Sequence, residues 1–179
     1  MDVINRDAQR LVLTGHERTF NQSEMIVSKT DPRGIMTYVN HTFVDISGYT
    51  EQELVGKPHS LIRHPHMPRS VFRLLWDRVK SGNEIFAYVM NRCKNGDHYW
   101  VFANASPMFN SQRQVIGYNS NRRLPRPQAI TAVTPLYAKL LQIEQAHSNN
   151  AAGLEASKAA LHQTIADLGI DYEEFVHGL

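Results

Sequence analysis

Ile85-Phe86-Ala87-Tyr88-Val89-Met90-Asn91-Arg92 and His98-Tyr99-Trp100-Val101-Phe102-Ala103-Asn104-Ala105-Ser106-Pro107-Met108 flank Lys94-Asn95-Gly96-Asp97. Two runs rich in aromatic and β-branched residues, joined by Asn-Gly, read as a β-hairpin. Downstream, Asn110-Ser111-Gln112-Arg113 turns the chain again into a third run, Gln114–Arg122. Upstream, Pro68 opens a helix on which Val71, Phe72, Leu75, Trp76 and Val79 recur at helical spacing, and Ser81-Gly82-Asn83 ends it. Earlier still, Asn40 is placed to cap His41–Ile46, and Thr50 with Glu53 forms a capping box for Glu51–Val55. Gly48 and Gly56 stand where those helices stop. Before them, Met25–Ser28 and Ile35–Asn40 flank the turn Asp31-Pro32-Arg33-Gly34 as a first hairpin. Two strands, a block of helices and three strands predict an α+β domain on a five-stranded antiparallel sheet.

The 179 residues leave room for one domain and an appendage. Residues 1–125 carry 16 Lys/Arg against 11 Asp/Glu, whereas residues 126–179 carry 3 against 6. The change falls at Arg123-Leu124-Pro125-Arg126-Pro127, where two prolines interrupt regular structure, so the expected units are 1–21 (arm or cap), 22–125 (main domain) and 126–179 (helical extension). In the arm, Leu11-Val12-Leu13 is the one apolar cluster, read as a short helix or a flexible segment. In the extension, Leu136, Leu140, Leu141 and Ile143 form one stripe, and Leu154, Leu161, Ile165 and Leu168 a second with Ser157 on its face. That pattern predicts a helical hairpin, packed on itself, on the sheet or on a second subunit.

A net charge of +2 is too small to argue for nucleic acid or a membrane surface. No apolar run approaches the ~20 residues that span a bilayer, and the N-terminus has no secretory profile. One cysteine, Cys93, fits a reducing compartment, so a cytoplasmic protein is expected. G-x-S-x-G, G-x-x-x-x-G-K-[ST] and G-x-G-x-x-G are all missing, which leaves an enzyme little to rest on.

Thr37-Tyr38-Val39-Asn40, Phe43, Ser47-Gly48-Tyr49-Thr50, Glu53-Leu54-Val55-Gly56 and Lys94–Val101 together resemble a PAS domain. Within that family, Pro58-His59, Ile62-Arg63-His64-Pro65, Met67-Pro68, Trp76, Asn91-Arg92, Ala103-Asn104-Ala105 and Pro107-Met108 are similar to the PAS domain of aerotaxis receptors. The resemblance implies a sensor of redox state or oxygen that holds FAD and signals to a partner of the chemotaxis or kinase type; a homodimer is also expected. It implies flavin-binding roles for Arg63 and His64, with Asn40 linked to the pocket. The chain departs from the family at His66, where an acidic residue is usual, and at Ile85, where a tryptophan is usual.

The residues themselves leave more than one reading open. Arg63 suits pyrophosphate, because a guanidinium grips phosphate oxygens in pairs; on spacing alone a basic surface loop explains it better. His64 and His66 are two apart, as a metal pair would be, but Pro65 and Pro68 break the strand and no carboxylate is near. Haem b needs one axial histidine and is the alternative cofactor. Asn91 and Asn104 are candidates for the polar edge of a flavin, and Asn40 equally for a helix cap. Trp76 reads as core before pocket. Tyr118 is a candidate to relay a changed hydrogen bond. A PAS module without cofactor, used for dimerisation, is the remaining alternative.

Overall fold

In the computed structural model residues 12–179 are described; Leu11 and the residues before it lie outside them. Strands β1 (Ile26–Thr30), β2 (Met36–Val39), β3 (Ile85–Arg92), β4 (His98–Phe109) and β5 (Val115–Arg123) form one antiparallel sheet in the order β2-β1-β5-β4-β3. Helices α1 (His41–Ser47), α2 (Glu51–Leu54), a 3-10 turn (His59–Ile62) and α3 (Arg69–Lys80) come between β2 and β3, as the sequence predicts.

Local chemistry explains the boundaries. The Asn40 carboxamide accepts from Phe43 N and starts α1, and the Thr50–Glu53 capping box forms in full at α2. The Asn95-Gly96 turn reverses the chain between β3 and β4 with Gly96 at φ +95°. A Cβ there would meet Val12 O at 2.1 Å, because the segment ahead of β1 runs alongside this turn, with Thr14 N donating to Gly96 O.

Register decides which residues share a face. Asn91 pairs with Tyr99, Ile85 with Ala105, Ala103 with Arg122, Ala105 with Ser120 and Ser28 with Ser120. Paired residues point the same way, so these line the face that packs on α1–α3. Phe86, Tyr88, Trp100 and Phe102 take the opposite face, which is why Phe86 stacks on Phe102 at 5.5 Å.

The extension packs onto that opposite face and onto α3. Helix α4 (Pro127–Gln145) begins at Pro127 and runs through Pro135, earlier than the Leu136 stripe alone marks. Pro127 sits in the first turn, where its missing N–H costs nothing. Tyr137 stacks on Trp100 at 6.3 Å, and its hydroxyl donates to Tyr88 O (2.8 Å) on the free edge of β3. Helix α5 (Asn150–Asp167) lies against α4 and α3, and α6 (Tyr172–His177) brings His177 to 4.6 Å from Phe86. Ala129, Val133, Leu140, Leu161, Ile165 and Val176 belong to the same packed cluster as Ile26, Phe43 and Val101. Leu168, expected on the α5 stripe, is 56% exposed instead, since the helix ends there.

Candidate functional site

The sheet face under α1–α3 is small in the middle and polar around the rim. Ala87, Ala103, Ala105 and Ser28 are its buried small residues, a flat floor of the kind a planar ring needs. Around it stand Asn91, Tyr99, Thr30 and Arg122, all buried; Arg92, buried too, alternates to the opposite face at the end of β3.

Arg122 is the most telling. It is 2% exposed, lies over the Phe43 ring (4.5 Å to the centroid) and donates through Nη2 to Ser28 Oγ. Its Nε and Nη1 have no hydrogen-bond partner among the described residues, and no carboxylate there pairs with it. Burial pulls this guanidinium down to about 10. Arg92, 1% exposed, donates through Nη2 to Leu61 O (3.0 Å) and Tyr49 OH (3.3 Å), while its Nε and Nη1 are likewise unmatched. Thr30 Oγ1, Asn91 Nδ2 and the Tyr99 hydroxyl are also buried without a partner among the described residues. Buried polar atoms are nearly always matched, and buried cations nearly always paired. Thr30, Asn91, Tyr99 and Arg122 bring these exceptions to one face, where they can receive polar atoms from elsewhere.

Sequence reading missed Arg122, Arg92, Tyr99, Ser28 and Thr30. The signal was there for Arg122. Tyr118, Ser120 and Arg122 alternate along one strand, so one face of β5 is polar-rimmed; which face became legible only with the register.

The loop between the 3-10 turn and α3 closes one side. The Arg63 guanidinium lies over the Phe72 ring at 4.0 Å, a cation–π contact, and the Arg63 backbone bridges to Asn91. His64 is 4% exposed; its Nδ1 accepts from His66 N (3.1 Å), and its ring stands 4.9 Å from that of His66 and 5.7 Å from that of His98. Burial, then the charges of His66, His98 and Arg92, lower His64 to about 4. His59 reaches in from the 3-10 turn, with Nε2 at 3.3 Å from Ser28 Oγ and the ring 6.2 Å from Phe43. Burial, then Arg122 and Arg63, lower it to about 3.

The other expected residues have partners of their own. Asn104 is on the outer sheet face, where its amide donates to Glu84 (2.9 Å); the alternation of β4 sends it away from the floor that Ala103 and Ala105 form. The Asn40 carboxamide is used up at the β1–α1 junction, accepting from Val27 N (2.9 Å) and donating to Met25 O (2.7 Å). His66 is exposed. Trp76 and Tyr118 meet edge-to-face at 5.3 Å at the far end of α3, in a cluster with Val79, Ile85 and Ala105; Tyr118 pairs with Thr30 and so lies on the floor's own sheet face, at one end of it. Cys93 Sγ donates to Ile46 O (3.2 Å), and burial pushes the thiol up to about 11, so it is inert. Among the described residues no group of three or more His, Cys, Asp and Glu is placed to hold a metal, and no helix is long and apolar enough to cross a membrane.

The PAS fold family matches residues 36–121. The aerotaxis receptor of Escherichia coli (strain K12) is 47% identical over 115 residues, which is 64% of this chain and 22% of the receptor. The PAS domain of a protein from Colwellia psychrerythraea superposes with a TM-score of 0.52 at 17% identity, covering 56% of this chain and 86% of that one. The blue-light photoreceptor Aureochrome1 LOV superposes equally, at 0.52 and 20% identity, over 68% of this chain and 84% of that one. The chain spans less than a quarter of its curated relative, and the likeness to the two solved structures is one of fold. Sheet order and helix block agree with the family match that residues 36–121 form a PAS fold, in a chain similar over 115 residues to the aerotaxis receptor.

Proposed function

We propose that this PAS domain binds a flavin, FAD in the first instance, and reports redox state or oxygen to a signalling partner of the chemotaxis or kinase type through a change of conformation. One observation carries the reading: a buried guanidinium paired with no carboxylate among the described residues, Arg122, stands with the unmatched Asn91, Tyr99 and Thr30 around a floor of alanine and serine. A flavin fits that set. Its ring is flat and apolar, its pyrimidine edge is rich in acceptors, and its phosphates take guanidinium. Bound flavin supplies electron transfer; the residues supply the slot, the donors and the exclusion of water. Arg63 at the loop is the candidate for the phosphates, and His59 and His64 stay neutral above about pH 5, so the floor is not overloaded with charge.

Two cavities of about 270 and 330 Å³ lie against α5–α6 and between Pro65 and α4, away from this floor. Phe43, Met67 and Val71 pack with Ala87 and Ala103. A ring therefore enters by moving the helix layer outward. That packing also supports a second reading, a PAS module that binds no cofactor and serves a homodimer. One absorption spectrum of the purified chain after incubation with FAD separates them. Retained flavin bands that vanish in Arg122→Met support the sensor; a Soret band would point to haem; no chromophore under FAD supplementation would falsify the flavin reading.

A further inference from the structure

Helix α3 starts without a cap of its own. Pro68 precedes it and offers no side-chain acceptor, yet the N-terminus is buried at Ser70. The missing acceptor comes from the other end of the chain. Glu144, 5% exposed near the end of α4, accepts from Arg69 N and Arg69 Nε through Oε2 and from Ser70 N through Oε1, each at 3.0 Å. Arg69 Nη2 donates on to Asn150 O (3.0 Å), and Ser157 Oγ of α5 donates to Ser70 Oγ (2.7 Å). The α4–α5 crossing is close: a Cβ on Gly153 would meet Glu144 O at 2.6 Å. A carboxylate on a helix N-terminus is a favoured contact, and here it joins two parts of the fold.

We propose that Glu144 is a positioning residue for the candidate site, setting the Arg63–Pro68 loop through the N-terminus of α3. The loop runs straight into that terminus, with Met67 N donating to His64 O (3.0 Å), and leads back to the Arg63–Asn91 bridge at the floor. Loop and C-terminal helices therefore share one joint. Whatever moves the loop strains the joint, and loosening the joint frees the loop, because coupling between sites is reciprocal.

Hydrogen exchange of the full chain tests this at peptides covering 59–68 and 139–157, comparing wild type with Glu144→Gln. Glutamine keeps the volume and one acceptor but turns an amide N–H toward backbone donors. Both peptides are expected to exchange about tenfold faster while 98–105 in the sheet stays at the wild-type rate. Faster exchange at 139–157 with 59–68 unchanged overturns the proposal. If Glu144→Gln unfolds the sheet as well, Arg69→Met, which spares both backbone bonds, decides the same question by a smaller shift in the same two peptides. A second arm rests on the flavin reading: the FAD dissociation constant should rise about tenfold in Glu144→Gln, and FAD should slow exchange at 139–157 in wild type. If FAD never binds, that reading fails and the exchange arm still decides the joint. If FAD binds and 139–157 does not respond, only the joint fails.

Discussion

At the scale of single residues, Arg122 makes a contradictory demand on the fold. A guanidinium in the interior without a carboxylate costs several kcal/mol, and the Ser28 hydroxyl and the Phe43 face offset only part of that. Under the flavin reading, the ligand supplies the partners that Arg122 lacks. Replacing Arg122 with methionine should therefore separate the two properties: flavin retention falls, while the ligand-free chain gains about 1–3 kcal/mol in urea unfolding. Equal or lower stability of the variant would remove the case for a stored charge. Such a residue is hard to see in sequence, because Arg122 and Arg123 look alike there. Asn40 is the converse. Its place before α1 was legible as a cap, and its carboxamide accepts from Phe43 N in that role while also accepting from Val27 N and donating to Met25 O.

At the scale of elements, the loop at 63–68 carries the acid sensitivity. His64 is neutral in the fold, with a value near 4 against 6.5 when exposed. The unfolded chain binds the extra proton first, so stability is full above about pH 6.5 and falls as pH drops toward 4, by up to about 3 kcal/mol. His59 adds to the loss in the same direction. Urea midpoints measured from pH 7 to 4 should fall across that window, and His64→Gln should flatten the slope; an unchanged slope would place the acid sensitivity elsewhere. The elements themselves were readable in advance because their signals are local. The Asn95-Gly96 turn, the Thr50–Glu53 box and the helical spacing on α3 each act within a few residues.

At the scale of the whole molecule, the PAS sheet and the C-terminal helices bury each other. Tyr137 lies on Trp100, His177 on Phe86 and Phe102, and Glu144 under α3. The composition change at residues 123–127 marks where charge and element type alter, yet the core runs on across it. A chain ending at 125 should thus be less stable, since each large apolar side chain uncovered costs about 1.5–3 kcal/mol. It should also self-associate through the exposed Tyr88, Trp100 and Phe102, seen as concentration-dependent sedimentation. A monomer as stable as the full chain would mean the helices are an accessory. The stripes on α4 and α5 revealed amphipathic helices, and their partner was left open because nothing in a stripe names what covers it.

What the amino-acid order determined alone is the list of elements, their order and the α+β architecture, since caps, turns and periodicity are short-range and each residue's neighbours in the chain suffice. What only the tertiary structure decided is which polar groups share an interior. Arg122 joins Ser28 and Asn91 joins Tyr99 through strand register, and Glu144 reaches Ser70 across 74 positions. Those meetings depend on how the sheet aligns and how the tail docks, a balance of burial summed over the whole chain that no local window contains.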